Sequence, residues 1–260
     1  MTATSTISGG ITNSGTITAG DDAFVVDRNS DISGGVTNSG NIIAADEAFL
    51  VFRSSDFTGA ITNNIGGAIT AARDAFFVGV NSDISGGITN SGTITAVSEA
   101  FLVFRNSDIS GGVTNSDTIT AARDAFFVGA GSNISGGIIN SGTITATSEA
   151  FLVFNNSNIS GAISNSGTIE STGDDAFEVA TASNISGGII NSGTITAAGD
   201  AFEVNASTIS GGITNTGTIT GATNAINIVN ATAPITITNT GLINGNVILN
   251  TSTLQLDGLT

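Results

Sequence analysis

Short apolar stretches alternate with turn residues along the whole chain. Within each stretch every second residue is apolar, as in Thr16-Ile17-Thr18-Ala19 and Phe24-Val25-Val26. Alternation of this kind, bounded by Gly, Asn, Asp and Ser, predicts short β-strands, because successive strand side chains point to opposite faces. An amphipathic helix would need a period of 3.6 residues, which these stretches lack. We therefore expect an all-β fold.

The pattern repeats about every 25 residues, and each unit holds three predicted strands. Units begin at Ile7, Ile32, Phe57, Ile84, Ile109, Ile134, Ile159, Ile185 and Ile209, and a degenerate tenth begins near residue 233. One unit cannot bury its apolar face alone, whereas stacked units bury a continuous core. Residues 1–260 are therefore predicted to form one domain, a right-handed single-stranded parallel β-helix (β-solenoid). We expect about ten coils of ~25 residues, stacked about 4.8 Å apart.

Equivalent positions of successive units form columns, and their variation predicts which side faces inward. The column of Phe24 holds Phe in eight units, and the column of Val26 holds only Val or Ile. The column between them accepts Val25, Phe77 and Glu178, so it must face water. We expect the inward columns to be those that start at Ile11, Asn13, Ile17, Phe24 and Val26.

One inward column is polar, since Asn occupies it in all ten units from Asn13 to Asn239. Stacked side-chain amides can donate and accept hydrogen bonds along the rod. We expect an internal asparagine ladder and prefer it to the alternative, a row of amides that binds a ligand.

The net charge of −16, with five Arg against 21 acids, disfavours nucleic acid and anionic lipid as partners. No apolar run is long enough for a transmembrane helix, so the chain should not be membrane-embedded. Cys is absent, which excludes disulfides and Cys-ligated metal sites. Residues 1–4 lack the features of a signal peptide, and we expect a piece of a longer exported chain.

Catalysis would have to rely on Asp, Glu, Arg, Ser and Thr, because His, Cys, Tyr and Lys are absent. Most acids follow the repeat instead of breaking it. The carboxyl column comprises Asp22, Glu47, Asp74, Glu99, Asp124, Glu149, Asp175 and Asp200. A second column precedes the unit start and comprises Asp31, Asp56, Asp83 and Asp108. We expect both at turns, accepting backbone N–H groups, with no catalytic residue, metal or cofactor. A calcium ladder along the carboxyl column is the alternative.

Acids also crowd units seven and eight, where Glu170, Asp174 and Glu178 precede Glu203. We interpret this cluster as a solvated acidic face. A site for a cation or a basic partner is the alternative.

The outward side of the third predicted strand carries eight large apolar residues in units two to six. This third-strand face comprises Leu50, Phe52, Phe77, Leu102, Phe104, Phe127, Leu152 and Phe154. A patch of a few hundred Å² usually marks a contact. Gly79 and Gly129 alternate with Phe in one of its columns, and a Phe of a second copy could enter these gaps. We predict lateral self-association through this face, with end-to-end stacking at open strand edges as an addition.

The second strand presents a threonine array, pairs such as Thr118/Thr120 and Thr143/Thr145, on a flat face. Regular Thr pairs of this kind resemble those of ice-binding proteins. Glu170 interrupts the array, and Thr is in any case favoured on outward strand positions. Ice binding is therefore the alternative function.

Residues 10–17 (GITNSGTI) and 239–247 (NTGLINGNV) are similar to repeats of passenger domains of bacterial type V autotransporters and haemagglutinin-type adhesins. The resemblance implies export across a Gram-negative outer membrane and display on the bacterial cell surface. Residues 254–260 lack amphipathic membrane strands, so we expect a fragment or a free-standing relative. We expect a non-enzymatic structural or adhesive module, secreted or surface-displayed, that binds itself and a host or neighbouring-cell surface. A polysaccharide-processing enzyme is the last alternative.

Overall fold

The computed structural model of the protein describes residues 5–250 and 252–256. Every strand pairs in parallel with the equivalent strand of the next coil, for example Phe24 with Phe49 and Ile11 with Val36. The stacked coils form a β-solenoid, which confirms the predicted fold class; the right-handed sense stays a prediction. The features predicted at residues 1–4 and 257–260 lie outside the described residues. No helix in the described part is long and apolar enough to cross a membrane.

Three main strands form each coil, and coils are numbered here from the unit that begins at Ile7. The first strands are Ile11–Asn13, Val36–Asn38, Ile61–Asn63, Ile88–Asn90, Val113–Asn115, Ile138–Asn140, Ile163–Asn165, Ile189–Asn191, Ile213–Asn215, Thr236–Asn239 and Thr253–Leu256. The second strands are Thr16–Ala19, Asn41–Ala44, Ala68–Ala71, Thr93–Ala96, Thr118–Ala121, Thr143–Ala146, Thr168–Ser171 and Thr194–Ala197. The third strands are Phe24–Asp27, Phe49–Phe52, Phe76–Gly79, Phe101–Phe104, Phe126–Gly129, Phe151–Phe154, Phe177–Ala180 and Phe202–Asn205. In the last two coils the second and third strands merge into Thr218–Val229 and Leu242–Leu249.

A fourth strand of two residues stands at the start of each of coils one to eight, in addition to the three that the sequence predicts. These strands are Thr6–Ile7, Asp31–Ile32, Asp56–Phe57, Asp83–Ile84, Asp108–Ile109, Asn133–Ile134, Asn158–Ile159 and Asn184–Ile185. Two residues carry too little alternation to be recognised as a strand. The second column of acids lies in these strands, so its prediction as a turn column is wrong.

The core is organised around a stack of eight phenylalanine rings. Consecutive rings are nearly parallel, and their centroids lie 4.6 to 4.9 Å apart. The stack runs from Phe24 to Phe202, and Ile226 continues its column. From coil two to coil nine the predicted inward columns are buried, whereas Val25 is 54% exposed. In coil ten Ile243 and Leu249 are partly buried. The assignment of inward and outward columns is therefore confirmed.

Candidate functional site

The asparagine ladder is continuous from Asn13 to Asn239. Each side-chain Nδ2 donates to the Oδ1 of the Asn one coil further on, at 2.7 to 2.8 Å. The same Nδ2 atoms reach backbone carbonyls of the adjoining turns, as Asn13 does with Gly15 and Asn41. All ten side chains are buried. The predicted internal ladder is confirmed, and these amides are already occupied by one another.

A second polar ladder, of serines, escaped the sequence analysis. The backbone N–H of Ser82 donates to Oγ of Ser107 at 3.2 Å, and Ser107 does the same to Ser132 at 3.1 Å. The pattern continues through Ser157 and Ser183. Its signal was present in the sequence, because Ser recurs in units one to seven just before the Asp or Asn that opens the next unit.

The carboxyl column is buried, which the sequence analysis did not foresee. Six of its eight members are more than nine-tenths buried: Glu47, Asp74, Glu99, Asp124, Asp175 and Asp200. The expected hydrogen bonds to backbone N–H groups exist, but only the Asp members make them. In each of four Asp members, the Oδ1 atom accepts the backbone N–H of the column residue in the next coil. These members are Asp22, Asp74, Asp124 and Asp175.

Arginine reaches the carboxyl column at two places. Nη1 of Arg73 lies 2.9 Å from Oε1 of Glu47, and Nη1 of Arg123 lies 3.1 Å from Oε1 of Glu99. The equivalent position in coil seven is Asp174, which adds a negative charge beside Glu149. The second half of the column therefore lacks the cations that the first half has.

Burial is the main reason why the pKa of several of these carboxyl groups lies well above its ordinary value. Desolvation, with the neighbouring Glu149 carboxyl second, raises the pKa of Asp124 to about 8. Desolvation likewise raises the pKa of Glu47 to about 8, that of Asp74 to about 7 and that of Asp175 to about 8.

The acidic residues of coils seven and eight come together only in part. Carboxylate oxygens of Asp175, Asp200 and Glu203 lie within 4.8 Å of one another, a spacing that could hold a metal ion. Both oxygens of Asp200 already accept hydrogen bonds, from the amides of Asn224 and Asn227 at 2.8 Å each. A second such group is formed by Asp21, Asp22 and Asp46. Glu170 lies apart, in the threonine array.

Side chains of the third-strand face cover neighbouring positions of the same face more than the sequence predicts. A Cβ on Gly79 would lie 2.6 Å from Cε1 of Phe77, and one on Gly129 would lie 2.4 Å from Cε1 of Phe127. The two rings thus occupy the gaps that were predicted to receive a Phe of a second copy. That detail of the interface prediction is wrong, because residues two apart on a strand share a face and the ring folds over its own glycine.

Arginine stacks on two of the remaining rings. Arg53 and Arg105 follow the third strand in left-handed conformation, with φ of 56° and 61°, and their guanidinium groups lie 4.8 Å and 5.3 Å from the ring centres of Phe52 and Phe104. In coil six Asn155 takes this place, and Phe154 is 39% exposed. Phe154 is consequently the least covered of the eight residues; the other seven are half-buried.

Two open clefts indent this face. The larger, of about 390 Å³, is lined by Phe52, Phe77, Phe104, Phe127 and Arg105, among others. The smaller, of about 370 Å³, lies between the acids around Glu47 and the side chains of Leu50 and Phe77. The carboxyl column therefore borders the third-strand face.

The threonine array is in register from coil four to coil nine. Thr93 pairs with Thr118, and Thr118 pairs with Thr143. The outward residues two positions later, Thr95, Thr120 and Thr145, pair in the same register. Glu170 interrupts that second column between Thr145 and Thr196.

Comparison with known proteins adds no identification: no family, no curated protein and no solved structure matches this chain.

Proposed function

We propose that the chain is a non-enzymatic structural rod that associates side by side with a second copy through the third-strand face. The observation that carries this proposal is the run of eight large apolar side chains on coils two to six. Such a contiguous patch is unfavourable in water and is stabilised when a partner covers it. Phe154, exposed and without an arginine over its ring, is the residue of this face most accessible to a partner.

Charge along the face favours an antiparallel second copy as the partner. Arg53 and Arg105 lie on coils two and four, whereas Glu178 and Glu203 lie on coils seven and eight. A two-fold axis between coils four and five would bring Arg53 on coil two of each rod opposite Glu178 on coil seven of the other. Among the described residues, Arg105 forms no ion pair within its own chain. Parallel rods would instead place like charges opposite each other.

The size of the patch predicts weak association. Two copies would bury about 600 Å² in total, which is below the range of stable interfaces. Sedimentation velocity over a concentration series tests the proposal. The parent should shift towards dimer at high concentration, and a variant with Phe52, Phe104 and Phe154 replaced by Ser should remain monomeric.

A matched control removes exposed apolar surface from another face. Ile139 and Ile190 are 56% and 50% exposed on first strands, where other coils carry Thr or Ser. A variant with both replaced by Thr should associate like the parent. A monomeric parent, or a triple Ser variant that associates as well as the parent, removes this face as the interface.

We place the rod on a bacterial cell surface or in the secreted fraction, where it would contact a host or neighbouring cell. The support is the similarity of residues 10–17 and 239–247 to repeats of autotransporter passengers and adhesins. Protease added to intact source cells should cleave the chain. Full protection until the cells are lysed would contradict surface display.

A non-enzymatic role is supported by how the carboxyl groups are used. Members of the carboxyl column bind backbone N–H groups and arginine in a pattern that recurs along the rod. A panel of polysaccharides incubated with the chain should show no cleavage. Turnover of any of them would replace this proposal with an enzymatic one.

Ice binding is the second candidate, favoured by the in-register threonine array of coils four to nine. Regular hydroxyl and methyl groups on a flat sheet could order surface water. Thermal hysteresis of the parent, abolished by Thr145→Glu, would support this function. The absence of hysteresis would exclude it.

A further inference from the structure

The carboxyl column stacks side chains that, when ionised, accept hydrogen bonds but cannot donate them. Neighbouring members lie one coil apart, and the adjacent Phe rings show that one coil corresponds to 4.6 to 4.9 Å. Beyond those backbone N–H groups, the hydroxyls of Ser98 and Ser148 donate to Oε2 of Glu99 and Glu149, and Asn224 and Asn227 donate to Asp200. Oδ2 of Asp74 is buried without a hydrogen-bond donor, and Nε of Arg73 lies 3.9 Å from it. Full ionisation would therefore leave unpaired charges in a region of low dielectric, which is costly.

The charged groups around the column cannot neutralise it. From the turns that carry the column, the neighbours are Asp21, Asp46, Arg73, Arg123 and Asp174; from the third strand they are Glu178 and Glu203. Within residues 5–250 and 252–256, two cations thus face eight column acids and five further carboxyl groups. From coil six onward no cation faces the column at all.

The ninth coil shows what the column lacks elsewhere. Asn224 occupies its position there, and the Asn Nδ2 donates to Oδ1 of Asp200 at 2.8 Å. An amide is a permanent donor, whereas a carboxyl group donates only when it is protonated. In the earlier coils a proton shared between neighbours would supply the same hydrogen bond.

We propose that the carboxyl column is a proton-dependent lock on coil stacking. Protons shared within Asp74–Glu99 and Asp124–Glu149 hold adjacent coils together, and their loss above neutral pH loosens coils three to six. Oδ1 of Asp74 accepts the backbone N–H of Glu99, and Oδ1 of Asp124 accepts that of Glu149, so each pair lies side by side in adjacent coils. Desolvation first, and the neighbouring carboxyl groups second, raise the pKa of Glu178 at the edge of this region to about 7.

The direction of the pH dependence follows from proton uptake on folding. Unfolded Asp and Glu have pKa values near 4, so between about pH 4 and pH 8 the folded chain binds more protons than the unfolded chain. The free energy of unfolding must then fall as pH rises through this window. Below about pH 4 both states are protonated and the contribution is complete.

Melting temperature as a function of pH, at constant ionic strength and with chelator present, tests the lock. The melting temperature of the parent should fall by about 10 °C between about pH 5 and pH 8.5. Glu149→Gln places an amide where it can donate to Asp124, as Asn224 donates to Asp200. This variant should lose about a fifth of the fall, because Asp124 is one of five carboxyl groups whose raised pKa lies in this window.

Asp117→Asn is the charge-matched control, since it removes one negative charge from an exposed turn. Its pH profile should have the slope of the parent. A flat parent profile, or a Glu149→Gln profile as steep as that of the parent, would overturn the proposal. If calcium restored the melting temperature at about pH 8.5 to its acid value, a cation and not a proton would be the partner of the column.

A measurement on the parent alone avoids any dependence on the folding of variants. Infrared spectra at neutral pH should contain the C=O band of protonated carboxyl groups, which should disappear on unfolding. A spectrum with only ionised carboxylate in the folded chain contradicts the shared protons.

Discussion

The asparagine ladder and the carboxyl column are both buried, both repeat once per coil and both adjoin turns, yet hydrogen bonding satisfies only the first. In the ladder each amide donates to one neighbour and accepts from the other, at 2.7 to 2.8 Å. In the column four of the five Asp members accept one backbone N–H each, and Oδ2 of Asp74 has no hydrogen-bond donor. Both columns impose the same spacing on their side chains.

The difference shows that stacking repeats the charge and the hydrogen-bonding capacity of one side chain at every coil. An amide is donor and acceptor at once, so a stack of amides is neutral and self-complementary. A carboxylate only accepts and carries charge, so a stack of carboxylates needs protons or cations at each step. Arg73 and Arg123 supply cations at two steps, and coil nine uses Asn224 instead.

The largest effect is expected when a carboxylate is placed where no donor exists. Phe101 is fully buried between the rings of Phe76 and Phe126. Phe101→Asp should lower the free energy of unfolding by about 4 kcal/mol or more, because it removes the ring and buries an unpaired charge. Urea unfolding measures the loss, and Phe101→Leu should cost only about 1 kcal/mol. If Phe101→Asp unfolded like the parent, the inward assignment would be wrong.

Replacing one asparagine of the ladder by aspartate should have the next largest effect on the free energy of unfolding. Asn115→Asp removes the Nδ2 that donates to Asn140 and places a charge beside its Oδ1. We expect a loss of about 3 kcal/mol at neutral pH, with partial recovery in acid as the new carboxyl group is protonated. Asn64→Asp, in the more accessible turn beside the ladder, should be nearly neutral. Equal effects of the two variants would show that the ladder contributes nothing specific.

Giving the second half of the column the cation that it lacks should stabilise the chain slightly. Asp174 directly precedes Asp175, as Arg123 precedes Asp124, and burial followed by Glu149 and Asp200 raises the pKa of Asp174. Asp174→Arg should raise the free energy of unfolding by about 1 kcal/mol, since the pair with Glu149 would be partly exposed. The gain should be largest above neutral pH, where the carboxyl groups are ionised. Asp117→Arg makes the same change of charge on an exposed turn and should leave the free energy of unfolding unchanged. If Asp117→Arg stabilised the chain as much as Asp174→Arg does, the gain would reflect net charge and not the pair with Glu149.

Metal removal should have the smallest effect of all. If protons satisfy the column, chelator should not change the melting temperature, and about 1 mM calcium should not raise it. Differential scanning calorimetry with each addition measures this. A rise of many degrees with calcium would instead make Asp175, Asp200 and Glu203 the first candidates for a metal site.

Comparing columns within one sequence predicted the fold and the direction of most side chains. A column that tolerates both Phe77 and Glu178 must face water, and one that is always Asn must satisfy itself. The same reasoning applies to the serine ladder, because the column of Ser107 holds Ser in every unit from Ser30 to Ser207. It could not find the two-residue fourth strands, because two residues cannot display an alternation.

The candidate sites were predicted less completely than the fold. The eight residues of the third-strand face do lie together, as expected, but the gaps at Gly79 and Gly129 are filled by Phe77 and Phe127. Which way an outward ring turns depends on the side chains of the adjacent coils, here the edge contacts of Phe77 with Phe52 at 5.7 Å and of Phe127 with Phe104 at 6.1 Å. Self-association through the face stays a prediction.

By itself the sequence determined the repeat, the parallel stacking and the inward Phe and Asn columns, because these depend only on period and on the chemistry of identical neighbours. Tertiary structure alone decided how deeply the carboxyl column is buried. Burial is a property of three-dimensional packing: the turn that looks solvated in one coil is covered by the turns above and below it. Asp124 is therefore an ordinary turn acid in the sequence and a buried group with a raised pKa in the solenoid.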